Sequence, residues 1–313
     1  MRSCFLSLFI GLGAVFLFMG GCQPTDSSSS SASSTEAEGM EARSAAQQIP
    51  DRGKAVPRVS PNALVGQTIG VTEVRITYGR PSARGRKIFG GLVSFNEVWR
   101  TGANEATTIS FSTPVRIEGQ TLEKGTYGFF TIPGPDQWTL IFNNEPDQWG
   151  GYNYDSSRDA LRVQVEPESA PAREMMTFSF TEATEGTATC FLHWAETRVP
   201  FEISPNTTEI VRTRAETKVA KTSDWQVPLK YVDYALENKV LLNEALSWAN
   251  RSIQIEERFD NLRMKARVLA ASGQFEKAVE TANAAVAKEK EMDETPDGLE
   301  ELRSKITTWE SEI

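Results

Sequence analysis

The sequence predicts a mainly β domain, an antiparallel sandwich, followed by a small all-α domain. Two observations carry this. Between about residues 55 and 205 the apolar residues alternate with period two in short runs set off by Gly and Pro. From Asp224 onward prolines nearly vanish, Ala, Leu, Glu and Lys dominate, and an internal repeat appears.

In front of both domains stands a leader. Arg2 supplies a cationic tip, an apolar run extends from Phe5 to Met19, and Gly20-Gly21-Cys22 follows. A basic tip, a short apolar segment and small residues before a cut site make a secretory signal over 1–21. The run falls short of the roughly 20 residues that span a bilayer. A cysteine directly after two glycines is lipobox-like: small residues admit the peptidase, and the Cys22 thiol accepts the diacylglycerol. The expectation is therefore an exported, envelope-located chain attached to the membrane through lipid on Cys22. Gln23 in the next position, rather than Asp, favours the outer membrane of a Gram-negative cell. Residues 22–54 are rich in Ser, Ala, Glu and Gln, with Ser27–Ser31 unbroken. Such a segment cannot bury a core and reads as a tether.

The strands are read in order. Val71–Tyr78 places Val74, Ile76 and Tyr78 on one face. Thr107–Ser112, Val115–Ile117, Thr126–Ile132, Trp138–Asn143, Leu161–Val165, Met175–Thr181, Thr187–Trp194 and Arg198–Ile203 follow. The pattern leaves the topology open between jelly-roll and immunoglobulin-like. Residues 206–223 read as a linker. Over 224–313, Asn243–Asn250 recurs as Glu276–Asn283, an offset of 33 residues from Ala245 to Ala278. With Ala266, Leu269, Gly273, Phe275 and Ala285, this segment resembles tetratricopeptide helical hairpins. Ala282 stands where that pattern has an aromatic, and Lys290 where it has a closing proline.

Composition excludes several activities. The net charge of −9 argues against nucleic acid and, unless the charge is locally patterned, against anionic headgroups. One histidine, His193, rules out multi-histidine metal sites. It lies mid-strand, facing away from Cys190, Leu192 and Trp194. Once Cys4 leaves with the signal and Cys22 carries lipid, Cys190 is the remaining thiol, so no internal disulfide forms. The sequence holds no P-loop or dinucleotide fingerprint and calls for no cofactor or metal.

Three clusters stand out in the β domain. Tyr78–Gly90 places Arg80, Arg84, Arg86 and Lys87 in one loop, and guanidinium groups grip carboxylate or phosphate. Val98–Thr107 combines Trp99 and Arg100 with Asn104 and Glu105, the aromatic, amide and carboxylate types that hold sugars. Pro146–Asp155 is a glycine-bearing loop with Trp149, Tyr152 and Tyr154. The residues expected to form a ligand site are Arg80, Arg84, Arg86, Arg100, Asn104, Glu105, Trp149 and Tyr152.

The motif string Arg80-Pro81-Ser82, Gly85-Arg86, Ile88-Phe89-Gly90, Val98–Thr107, Gly125-Thr126-Tyr127, Phe130–Pro133, Trp138–Asn143 and Trp149-Gly150 resembles the domain-of-unknown-function 2911 family. That resemblance implies an exported bacterial protein, often with a tetratricopeptide-like tail, and it implies no catalytic residues. The reading that follows is a non-catalytic envelope lipoprotein. Its β domain would bind a glycan, peptide or anionic small ligand, and its acidic helical arm would contact a protein or brace the domain. Two alternatives stay open: a histidine-independent glycosidase using Glu105 and Asp155, and a purely structural lipoprotein. The anchor makes the first prediction: Cys22→Ala should move the protein from the membrane to the soluble fraction. Fractionation with the variant still in the membrane pellet would refute lipid attachment.

Overall fold

The computed structural model describes residues 56–313 apart from 182, 185, 290, 291 and 293. The signal segment 1–21, Cys22 and the tether 22–54 lie outside the described residues.

Ten strands form two antiparallel sheets: β1 Asn62–Ile69, β2 Thr72–Gly79, β3 Thr107–Phe111, β4 Val115–Ile117, β5 Gln120–Leu122, β6 Gly125–Ile132, β7 Trp138–Asn143, β8 Asp159–Val165, β9 Glu168–Thr181 and β10 Ala188–Pro205. The larger sheet runs β1-β2-β3-β6-β7-β8 and the smaller β5-β4-β10-β9. The open topological question is thereby answered. The larger sheet is an up-and-down meander, interrupted only where the β4–β5 hairpin leaves to join the smaller sheet.

The inward faces of both sheets share one core. Val74, Ile76 and Tyr78 of β2 point into it, as the alternation predicts. At its centre Phe129 of β6 meets Phe142 of β7 with ring centroids 5.2 Å apart. From the other sheet it meets Phe178 of β9 at 6.0 Å and Phe201 of β10 at 5.7 Å.

Three strand expectations needed revision. The three-residue β5 was not anticipated, being too short to show alternation. β1 was not anticipated, because it is an edge strand whose residues are mostly half-buried and so lack strict alternation. Thr187–Trp194 and Arg198–Ile203 are one strand, β10. The polar break Ala195-Glu196-Thr197 is a bulge rather than a turn: Ala195 adopts φ +51°, and the pairing with β9 shifts register on both sides of it.

Six helices follow: α1 Thr207–Lys221, α2 Gln226–Asn238, α3 Leu242–Ile255, α4 Phe259–Ala271, α5 Phe275–Lys288 and α6 Leu299–Glu310. Successive helices pack on one another. Segment 206–223, read as a linker, is therefore largely helix. Asn206 caps it by accepting from the Glu209 amide at 3.2 Å, and Val211, Ala215 and Val219 are buried at four-residue spacing. Ala215 and Val219 join Val232, Ala249 and Val268 in a helical core. So narrow an apolar stripe on an otherwise polar helix reads as linker composition. The 33-residue offset is expressed in the fold: Ala245 of α3 and Ala278 of α5 are both fully buried. A small network ties α2, α3 and α4. Asn261 donates to Ser252 Oγ at 3.0 Å, and Ser252 donates to the Trp225 carbonyl at 2.7 Å.

Phe129 contacts both sheets, so its removal leaves a cavity neither can close. Phe129→Ala should cost about 3–5 kcal/mol and lower Tm by roughly 10 °C, measured by thermal denaturation. A loss within the range of surface substitutions would show that the sheets do not depend on this contact.

Candidate functional site

The loop after β2 begins as structure and ends as surface. Arg80 donates from Nε to the Met176 carbonyl at 2.9 Å and from Nη2 to Thr177 Oγ1 at 2.8 Å. It is a brace between the sheets and is not part of the cleft described next. The loop backbone continues the brace, with the Ala83 amide donating to the Glu174 carbonyl and the Met176 amide to the Pro81 carbonyl. Beyond this point Arg84, at φ +53°, and Arg86 emerge into solvent. Arg86 is held by its own loop, donating to the Ala83 and Ser82 carbonyls at 2.9 and 2.7 Å.

Segment 98–107 lies beside this loop. Trp99 exchanges two backbone hydrogen bonds with Thr131, at 2.7 and 2.9 Å. Its indole stacks on Trp194 at 6.0 Å with 20° between planes, and Phe89 packs edge-on to Trp99, Trp138 and Trp194. The segment then presses against the end of β2, where a Cβ on Gly79 would sit 2.0 Å from the Ala103 carbonyl oxygen. Thr101 and Asn104 take left-handed φ values of +55° and +65°, which side chains other than glycine rarely adopt. Such strain persists only where the surroundings enforce it. Here Thr107 Oγ1 donates to the Thr101 carbonyl at 2.7 Å, and Asn104 Nδ2 to the Ser60 carbonyl at 3.1 Å.

Between loop and segment opens a cleft of about 320 Å³. Trp99 and Trp194 form its aromatic part, Val59 and Leu92 line it, and Arg84, Arg86 and Arg100 all border it. No carboxylate lines it. Among the described residues none of the three guanidinium groups forms an ion pair, although the Arg84 amide donates to the Glu174 carboxylate at 2.9 Å, and Arg100 Nε is buried without a hydrogen-bond acceptor. Three cations thus border one concave, partly apolar surface, and guanidinium is the group that grips carboxylate or phosphate.

Residues 60–203 match the family model described as Protein of unknown function (DUF2911). The β domain belongs to the DUF2911 family. The matched stretch takes in both sheets and all three arginines of the cleft, whereas the helices fall outside it. No curated protein and no solved structure matches the chain.

The remaining expected site residues of the DUF2911 domain divide. Asn104 is a clip that holds segment 98–107 to Ser60, and its carbonyl accepts from the Gly150 amide at 3.1 Å. Both oxygens of Glu105 accept from Arg58 Nη1, at 2.9 and 2.7 Å. Arg58 carries no motif signal, and sequence reading missed it. Trp149 and Tyr152 are 58% and 84% exposed. They do not line the cleft, although their loop is bonded to segment 98–107 through Gln148 and Gly150. Tyr154 folds back instead. Its ring packs on Phe130 at 5.1 Å, and its hydroxyl donates to Asp159 at 2.7 Å. Burial first, and then that hydrogen bond, push the phenol up to about 12.

The groups that could perform chemistry are occupied otherwise. Asp155 accepts from the Ser157 amide at 2.9 Å, which holds its carboxyl below the usual range, the opposite of what a general acid needs. Burial pushes the Cys190 thiol well up, away from thiolate. His193 accepts at Nδ1 from Arg173 at 3.3 Å and sits with Nε2 3.0 Å from the Pro171 carbonyl. That arrangement fits a neutral imidazole, and burial lowers its pKa further. Among the described residues no group of three His, Cys, Asp or Glu could hold a metal.

The contact of Gly79 with Ala103 sets where Arg100 stands. Gly79→Ala should displace segment 98–107 and destabilise the domain by about 1–3 kcal/mol through overpacking. Thermal denaturation of this variant measures the effect, and an unchanged Tm would show that the segment is not held by this approach.

Proposed function

We propose that the chain is a lipid-anchored envelope protein whose DUF2911 domain is a non-catalytic binding module for an anionic ligand. The cleft of Arg84, Arg86 and Arg100 is its site. The helical arm, a degenerate tetratricopeptide-like pair of hairpins, serves as a contact surface for another protein or braces the assembly. The leader, the Gly20-Gly21-Cys22 site and the Ser-rich segment support the anchor. The occupied state of Asp155, Cys190 and His193 supports binding over catalysis.

The observation that carries the reading is Arg100. It borders the cleft together with Arg84 and Arg86, so an anion there would meet three guanidinium groups and no carboxylate. Trp99 offers an apolar face beside the anion, so a phosphate or carboxylate carried on an organic group, a sugar or a lipid headgroup, suits the cleft.

Calorimetric titration with a phosphorylated monosaccharide and with inorganic pyrophosphate tests this. Arg100→Gln should weaken binding at least tenfold, about 1.4 kcal/mol, and leave Tm unchanged or raised, because it removes an unsatisfied donor. If no anion binds, or if Arg100→Gln binds as the parent chain does, the cleft is not an anion site.

A further inference from the structure

Exposed apolar side chains stand on the cleft and on the loops beside it. Eight large apolar side chains are exposed among the described residues, and five of them lie on the cleft or on the loops bonded beside it: Val59, Leu92, Val98, Trp149 and Tyr152. Val59 and Leu92 line the cleft itself. Gly151 of the Trp149 loop lies next to the Val98 carbonyl, and Gly150 is bonded to Asn104. Asn104 in turn holds Ser60, another residue of the cleft wall. Four separate stretches of chain thus present apolar side chains on or beside a cleft whose three guanidinium groups hold no ion pair.

We infer that this face docks on a membrane surface bearing anionic lipid, with a lipid phosphate in the arginine cleft and the apolar collar in the interfacial zone. The inference rests on the anion-binding reading of the cleft and adds the identity of its occupant. Three features favour a membrane over a soluble partner. Scattered single apolar side chains on loops suit a fluid surface better than a groove would, and Trp and Tyr are the side chains that settle at a membrane–water interface. Guanidinium groups that hold no ion pair are attracted to an anionic surface. The chain also enters the domain here, since Val59 and Ser60 line the cleft. The net charge of −9 sharpens the geometry: the rest of the molecule is repelled by an anionic surface, which leaves this cationic face to turn toward it.

The test uses the chain from Gln23 onward, which has neither leader nor lipidated cysteine and keeps every described residue. It should sediment with vesicles of phosphatidylcholine and phosphatidylglycerol and not with phosphatidylcholine alone. Trp149→Ala with Tyr152→Ala should reduce that binding at least tenfold and leave Tm and pyrophosphate binding unchanged. Arg84→Gln with Arg100→Gln should reduce both vesicle and pyrophosphate binding. Vesicle binding unaffected by the aromatic pair, or pyrophosphate binding without any vesicle binding, overturns the membrane inference and leaves the anion cleft standing. Loss of vesicle binding with no pyrophosphate binding in the parent chain overturns the cleft reading instead. A dimer in solution that dissociates in the aromatic variant would assign the collar to a second copy of the chain and overturn the inference as well.

Discussion

Everything at the cleft depends on one aromatic cluster. Phe89 comes from the arginine loop, Trp99 from the segment before β3, Trp138 from β7 and Trp194 from β10. Phe89 lies 4.8 Å from Trp138, 5.9 Å from Trp99 and 6.2 Å from Trp194, each edge to face, while Trp99 and Trp194 stack. Such pairs contribute about 0.5–1.5 kcal/mol each beyond the area they bury. The geometric consequence matters more: four distant stretches of chain are held at one point. Two of these rings, Trp99 and Trp194, are also walls of the cleft. The same contacts that close this part of the core thus position Arg84, Arg86 and Arg100 around a single opening.

The cleft is expensive to maintain. Like charges stand together without a carboxylate, one guanidinium nitrogen is buried unpaired, and Arg84, Thr101 and Asn104 hold left-handed backbone. A domain selected for stability alone would place an acid here, as it does a short distance away, where Glu105 receives Arg58. The neighbouring arginines differ in their partners. Arg58 and Arg80 are matched to acceptors within the domain, while Arg100 Nε is not. Local strain and unsatisfied polarity of this kind accumulate where function outweighs stability.

Much of the fold was legible because burial leaves a period in the chain. Val74, Ile76 and Tyr78, or Cys190, Leu192 and Trp194, alternate inward because a strand turns every second side chain to the core. Where burial is partial the period fades, and β1 at the sheet edge went unseen. Where a strand bends without ending, as at the Ala195 bulge, a polar triplet imitates a turn. Helix α1 escaped for a similar reason, since one buried residue in four leaves a segment looking like linker. Offset repetition survived better, because Ala245 and Ala278 occupy equivalent buried positions in α3 and α5.

The clusters that hold Arg84, Arg86, Arg100 and Trp149 could be picked out from residue type alone, since guanidinium and loop indole groups advertise recognition chemistry wherever they fall. What residue type could not decide was pairing. Arg80, four residues before Arg84, is spent on carbonyl and hydroxyl acceptors of β9, and Glu105 is neutralised by Arg58 from 47 positions upstream. The chain by itself determined the two-part architecture, the family of the β domain and the supply of cations, because these reside in local period, motif and composition. Only the tertiary structure decided which cations remain unmatched and share a cleft, because an ion pair or a shared cavity is a property of distances between segments that the covalent sequence does not contain.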